Sequence, residues 1–160
     1  FKPSNNIWIR NTRSKHMTDK LYYTWEEYNT DIKRIVKDYE FDSVVALYRG
    51  SLPIATHLTN ITDATMSVIK YQSYGKDKKQ SIDTKAPTWL VQGMIRPKKV
   101  LIIDDIYDTG STIRNCKEFI GDVSWDVTYL TIFGKKNDDS VEYLRENDGR
   151  WIVFPWETTT

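Results

Sequence analysis

Four aliphatic residues, Val100-Leu101-Ile102-Ile103, run straight into Asp104-Asp105; Ile106-Tyr107-Asp108 then leads to Thr109-Gly110-Ser111-Thr112. Few folds accommodate such a run. A stretch that is aliphatic at every position is a strand buried on both faces, the pattern of a parallel sheet. The turn after it lies at the carboxyl end of that sheet, where open α/β folds bind ligands. Thr109 to Thr112 opens a helix, so main-chain N–H groups and hydroxyls from Asp108 to Thr112 form a nest suited to a phosphate. Asp104 and Asp105 beside it suit sugar hydroxyls or a Mg2+ ion, and Asp108 adds a candidate base. The plainer alternative is an acidic turn with no ligand. Three carboxylates crowded round a nest then repel one another with nothing to offset the cost.

The rest of the chain supplies partners for that strand. Thr24-Trp25-Glu26-Glu27 has the spacing of a capping box, and Trp25, Tyr28, Ile32, Ile35, Val36 and Tyr39 recur at helical intervals, predicting a helix over 25–39. Residues 43–48 read as a buried strand, and Pro53 suits the first turn of a helix reaching about Asn60. Strands are expected over 65–71, 99–104, 126–133 and 151–154, and helices over 111–120 and 138–146. Such alternation implies a parallel sheet with right-handed crossovers. Residues 72–97 show no firm periodicity, and so long a loop in a compact domain suits a lid. Its lysines Lys76, Lys78 and Lys79 read first as solvated surface.

A chain of 160 residues holds one domain with a real core but not comfortably two. Residues 1–16 lack periodicity and read as an arm, native or added ahead of Met17; residues 17–157 form the domain and 158–160 a tail. A net charge of +1 argues against broad electrostatic binding of nucleic acid or of an anionic membrane. No apolar run reaches the length of a membrane span. The single cysteine, Cys116, has no partner for an internal disulfide and falls on the expected helix 111–120, as a buried thiol would. A reducing, cytoplasmic setting fits that usage.

Three further segments carry chemistry. Tyr48-Arg49-Gly50-Ser51 follows a buried strand, so Arg49 leaves the sheet by the same edge as the carboxylates. Arginine clamps pyrophosphate through paired N–H bonds, and Gly50 lets the main chain approach an anion closely. Lys135, after Thr131-Ile132-Phe133-Gly134, can donate to a carbonyl oxygen on a flat heterocycle. In Trp151-Ile152-Val153-Phe154-Pro155-Trp156-Glu157 an indole can stack on a purine face, with main-chain groups near Ile152 at the ring edge. Trp156 reads as core.

The segment 100–112 resembles the ribose-phosphate signature of the type I phosphoribosyltransferases, which use phosphoribosyl pyrophosphate. Tyr107 is bulkier than the aliphatic residue often found there, and Ser51 stands where purine enzymes often carry a second glycine. The order of the segments, with Tyr23-Thr24-Trp25, Ser73-Tyr74 and the ending Trp-Ile-x-x-Pro-Trp-acidic, is similar to the bacterial xanthine–guanine phosphoribosyltransferases over about residues 21–157. That resemblance implies a single Rossmann-like domain: a central parallel sheet flanked by helices, a mobile loop over the site and a small C-terminal hood. It implies transfer of the 5-phosphoribosyl group to a 6-oxopurine by a Mg2+-dependent enzyme of purine salvage, a homodimer or homotetramer.

In that reading Asp104 and Asp105 hold ribose hydroxyls, with Asp105 nearer the metal, and Thr109, Gly110, Ser111 and Thr112 hold the 5′-phosphate. Arg49, with Gly50 and Ser51, stabilises the leaving pyrophosphate, and Asp108 accepts the proton of purine N7. Lys135 meets O6, Trp151 stacks on the base and Ile152 contributes main-chain contacts. The rivals are a phosphoribosyltransferase for another base, a non-catalytic regulator of the same fold that senses phosphoribosyl pyrophosphate, and an acyl-phosphate or signalling domain. The Asp-Thr-Gly-Ser-Thr nest fits the last of these poorly.

Overall fold

The structure of the protein, a computed structural model, describes residues 19–73, 80–83, 99–121, 125–136 and 139–157. The expectations for residues 1–16, for Tyr74, Lys76, Lys78 and Lys79, and for the tail 158–160 lie outside the described residues.

In chain order the elements are β1 (Lys20–Tyr22), α1 (Trp25–Asp38), β2 (Ser43–Tyr48), α2 (Leu52–Ile61), β3 (Thr65–Ser73), β4 (Gln80–Asp83), β5 (Lys99–Ile106), α3 (Ser111–Ile120), β6 (Asp126–Gly134), β7 (Glu142–Glu146) and β8 (Trp151–Val153). A six-stranded sheet has the order β4-β3-β2-β5-β6-β7, and every pair except the antiparallel edge β3–β4 is parallel. The aliphatic run of β5 therefore lies between β2 and β6, where both of its faces are covered.

Side chains alternate along β5. Leu101 and Ile103 join the core under α1 and α2, built on Tyr28, Ile32, Ile35, Ile54 and Leu58. Val100 and Ile102 join the core under α3, built on Ile113 and the buried Cys116. The helix α1 begins where its sequence says: Glu27 N–H donates to Thr24 Oγ1 at 3.2 Å, and Thr24 N–H donates back to Glu27 Oε2 at 2.9 Å. Above the α1 side of the sheet, β1 and β8 form a separate two-stranded parallel sheet, Leu21 opposite Ile152. No helix among the described residues is long and apolar enough to cross a membrane.

Two expectations change, and one strand appears where none was expected. The helix expected over 138–146 is instead strand β7, pairing Leu130 with Glu142 and Phe133 with Arg145. The edge of β6 needs a partner, and Gly134 lets Tyr143 lie so close that a Cβ there would sit 2.7 Å from the Tyr143 Cβ. Cross-strand pairing outweighs the helical tendency of a Glu- and Leu-containing segment. Part of the loop expected over 72–97 is strand: β3 extends to Ser73, and β4 pairs back on it, Ser73 opposite Gln80. The strand β1 carries no periodic signal in three residues and is defined by its pairing with β8.

Candidate active site

The carboxyl end of β5 delivers two adjacent carboxyl groups, close enough for each to bear on the other's charge. Asp104 is 9% exposed and continues the α3 side after Ile102. Asp105 turns the other way, into a cavity. Their main chain is tied to their own side chains: Asp105 N–H donates to Asp104 Oδ1 at 2.9 Å, and Ile106 N–H donates to Asp105 Oδ1 at 2.8 Å. Burial pushes the Asp104 carboxyl well above its ordinary range, and the charge of Asp105 adds to the rise. Asp105 is raised as well, first by burial, with the Glu157 carboxylate contributing repulsion.

Two crowded, desolvated hard-oxygen donors form a set that a Mg2+ ion would relieve. Among the described residues no group of three or more His, Cys, Asp and Glu could hold a metal on protein ligands alone. An ion on these carboxylates would therefore draw further oxygens from a phosphorylated, hydroxylated ligand, the usual habit of Mg2+.

The turn after β2 closes on the same carboxylate. A Cβ placed on Gly50 would sit 1.8 Å from Asp105 Oδ2, so only a glycine lets this turn lie against the acid. The Tyr48–Arg49 peptide bond is cis. Arg49 is exposed at the sheet edge. Ser51 is fully buried, and its hydroxyl donates to Leu47 O at 2.6 Å. That hydroxyl braces the turn, so Ser51 offers a ligand its main chain rather than its side chain.

The nest opens α3 without a side-chain cap. Gly110 adopts φ +72°, and a Cβ there would lie 2.3 Å from the Tyr107 hydroxyl oxygen. Tyr107 thus fills the space left by Gly110, which answers the departure seen in the sequence. The Thr109 and Ser111 hydroxyl oxygens stand 3.0 Å apart, and Arg114 Nη2 donates to Thr109 O at 3.1 Å, bracing the turn from behind. Gly110, Ser111 and Thr112 bring main-chain N–H groups to a helix N-terminus, the arrangement that takes an anion.

Beside these groups lies a cavity of about 320 Å³ lined by Asp105, Asp108, Lys135, Trp151, Ile152 and Phe154. Lys135, just past β6, places its ammonium 3.3 Å from Asp108 Oδ1. Trp151 is 66% exposed at the wall, whereas Ile152 is buried with its main chain in the β1–β8 ladder. The structure therefore brings Asp105, Asp108, Lys135, Trp151 and Ile152 to one cavity. Arg49 and Gly50 stand at the adjoining sheet edge, and Thr109 to Thr112 head the neighbouring helix.

Asn147, Gly149, Arg150 and Glu157 also line the cavity, and the sequence reading assigned none of them a role. The first three form the turn between β7 and β8, braced by Asn147 N–H to Gly134 O at 2.7 Å and Gly149 N–H to Asn147 Oδ1 at 2.9 Å. The run Asn147-Asp148-Gly149 is a turn signal, obscured by reading the preceding segment as helix.

Residues 24–159 match the family model described as the phosphoribosyl transferase domain. The chain is 28% identical over 141 residues to a xanthine-guanine phosphoribosyltransferase of Nitratidesulfovibrio vulgaris (strain DP4), covering 84% of this chain and 83% of that protein. Its fold is similar to a purine phosphoribosyltransferase from Pyrococcus horikoshii, with TM-score 0.69, 25% identity and coverage of 89% and 96% of the two chains. It is also similar to a Helicobacter pylori xanthine-guanine-hypoxanthine phosphoribosyltransferase, with TM-score 0.73, 20% identity and coverage of 88% and 95%. With its central parallel sheet, its acidic strand end and its nest, the chain belongs to the phosphoribosyl transferase domain family.

Proposed function

We propose that this protein transfers the 5-phosphoribosyl group of phosphoribosyl pyrophosphate to a 6-oxopurine, guanine, xanthine or hypoxanthine, releasing pyrophosphate and the nucleoside monophosphate, as in purine salvage. The observation that carries the choice of base is the pairing of Lys135 with Asp108 across 3.3 Å in the Trp151-lined cavity. A 6-oxopurine carrying its proton on N7 presents a donor and a carbonyl acceptor side by side on one edge of the ring. A carboxylate beside an ammonium is the complement of that edge. Adenine sets an amino donor at position 6 against a group that only donates, so the same pair disfavours it. The purine names of the relatives agree with this reading.

The chemistry follows from the groups present. Asp104 and Asp105 accept from ribose hydroxyls, and the N–H groups and hydroxyls of Thr109 to Thr112 hold the 5′-phosphate. Mg2+, when bound, supplies positive charge to the pyrophosphate and ribose oxygens. Arg49 and the main chain of Gly50 and Ser51 receive the departing pyrophosphate. N9 of the base attacks C1 of the ribose as the C1–O bond to pyrophosphate breaks. The leaving group takes the bonding pair, and the N7 proton passes to Asp108. Positive charge develops on the ribose in this step, so most of the acceleration comes from positioning and fixed charge. Trp151 stacks on the base and aligns N9 with C1.

The test is a panel of guanine, xanthine, hypoxanthine, adenine, uracil and orotate, each with phosphoribosyl pyrophosphate and Mg2+, followed by nucleotide formation. Turnover with one or more 6-oxopurines, well above the other three bases, is expected. Preference for adenine, uracil or orotate overturns the choice of base. Binding of the phosphoribosyl donor without turnover on any base makes the protein a sensor instead.

A further inference from the structure

The mechanism leaves unused a partly buried charged cluster centred on Asp31. Asp31 on α1 is 4% exposed, and two side chains, Tyr23 ahead of α1 and Arg145 far along the chain, converge on it. The Tyr23 hydroxyl donates to Asp31 Oδ2 at 2.7 Å. Arg145 on β7 grips the same carboxylate from Nε at 2.5 Å and Nη2 at 3.3 Å. Arg145 Nη1 reaches Glu27 Oε1 at 3.1 Å, and its guanidinium lies 5.3 Å from the centre of the Tyr23 ring. Apolar side chains fill such a space without the desolvation cost of an ion pair. A charged cluster there fixes geometry instead.

Both ends of the cluster lead to the base cavity. The Tyr23 ring meets Phe133 at 5.2 Å and Phe154 at 5.8 Å, both edge-on, and Phe154 lines the cavity. Tyr23 N–H donates to Val153 O at 3.0 Å, extending the β1–β8 ladder that carries Trp151 and Ile152. At the other end, Arg145 stands two residues before Asn147, where the rim turn through Gly149 and Arg150 begins. Arg34 Nη1 donates to Leu144 O at 3.3 Å, tying β7 again to α1. No member of the cluster belongs to α3 or to its phosphate nest, which lies on the other face of the sheet.

We propose that Tyr23, Asp31 and Arg145 are positioning residues that hold the two walls of the base cavity, the β8 strand and the rim turn, at the separation a purine ring requires. They set the affinity for the base without touching it and leave the phosphoribosyl end alone. The inference rests on the 6-oxopurine transfer proposed above.

The discriminating variant is Asp31→Asn, which keeps the shape and an acceptor for Tyr23 but removes the charge that grips Arg145. Steady-state constants are measured for the favoured base and for phosphoribosyl pyrophosphate in parallel. The KM for the base rises about tenfold, inside the roughly hundredfold that a misplacement of order 1 Å costs. The KM for phosphoribosyl pyrophosphate stays within about twofold. Tyr23→Phe, which deletes one oxygen, gives a smaller shift with the same split and carries the test if Asp31→Asn does not fold. A lower melting temperature with both KM values unchanged, or an equal rise in both, overturns the proposal. If wild-type protein forms no nucleotide with any base of the panel, the activity itself is wrong and this inference falls with it.

Discussion

Lys135 Nζ and Asp108 Oδ1 lie 3.3 Å apart, yet Asp108 leads into the α3 nest and Lys135 follows β6. The Asp108 side chain is 71% exposed and that of Lys135 36%, so their attraction adds little to stability. A pair of that kind is cheap to separate. A ligand edge with a donor and an acceptor side by side can take the place each group gives the other.

If Asp108 takes the N7 proton, Asp108→Asn keeps the shape of the site and loses the base. Turnover falls by about 10²–10⁴-fold, the usual worth of a positioned proton acceptor. The affinity for phosphoribosyl pyrophosphate, read by calorimetry with Mg2+, changes little. An equal loss of both in folded protein contradicts the assignment.

Lys135→Ala removes the donor to the carbonyl oxygen. A hydrogen bond to a charged group is worth about 1.5–3 kcal/mol, so kcat/KM for the 6-oxopurine drops by roughly 10- to 100-fold. Adenine, whose amino donor faced the ammonium, is unchanged or improved, and the ratio between the two bases narrows by at least the same factor. A ratio that does not move removes Lys135 from base recognition.

Gly50→Ala drives a methyl group into Asp105, 1.8 Å from Oδ2. The acid or the turn must shift, at a cost of about 1–3 kcal/mol in stability. Calorimetry with phosphoribosyl pyrophosphate and Mg2+ reads the consequence, because the displaced group is the proposed sugar and metal grip. Unchanged affinity in this variant contradicts the close approach seen between Gly50 and Asp105.

Asp104 yields a prediction about pH. Its carboxyl is raised in the folded protein, chiefly by burial, from an ordinary value of 3.8. Between that value and the higher folded one, the unfolded chain gives up the proton that the folded chain keeps. Stability of the protein without Mg2+ or donor therefore declines as pH climbs above about 4, and levels off once the folded carboxyl has ionised. Asp104→Asn removes this contribution, so at pH 7 the unliganded variant melts at a higher temperature than the wild type. The same variant binds phosphoribosyl pyrophosphate more weakly. A lower melting temperature for Asp104→Asn across pH 5–8 contradicts the burial cost assigned to the acid.

How much of this was legible in the sequence depends on the range over which each feature is decided. The strand over 43–48 and the helix over 111–120 have the bounds their local patterns predict, because an aliphatic run and a glycine followed by hydroxyl residues act within a few positions. The capping box of Thr24 and Glu27 is equally local. The strand β7 is decided by the open edge of β6, which its own residues do not announce, and this is why a helix was expected there. The cavity rim at Asn147 to Arg150 follows from that strand, and its own residues show no more than a turn. The grip of Arg145 on Asp31 joins residues 114 apart and needs the folded sheet to bring it into view. The environment of Gly50 is a contact of the same kind: the sequence offers a glycine beside an arginine, and only the fold sets it against Asp105.

The central claim is that Asp108 and Lys135 read the N7 and O6 edge of a purine while Trp151 covers its face. A crystal structure of the protein with Mg2+ and the nucleoside monophosphate of its favoured base tests it most directly. The account predicts O6 within hydrogen-bonding distance of Lys135 Nζ, N7 facing Asp108, the ring stacked on Trp151 and the 5′-phosphate in the nest of Thr109 to Thr112. A base bound outside this cavity, or lying in it with N7 and O6 turned away from Asp108 and Lys135, contradicts it.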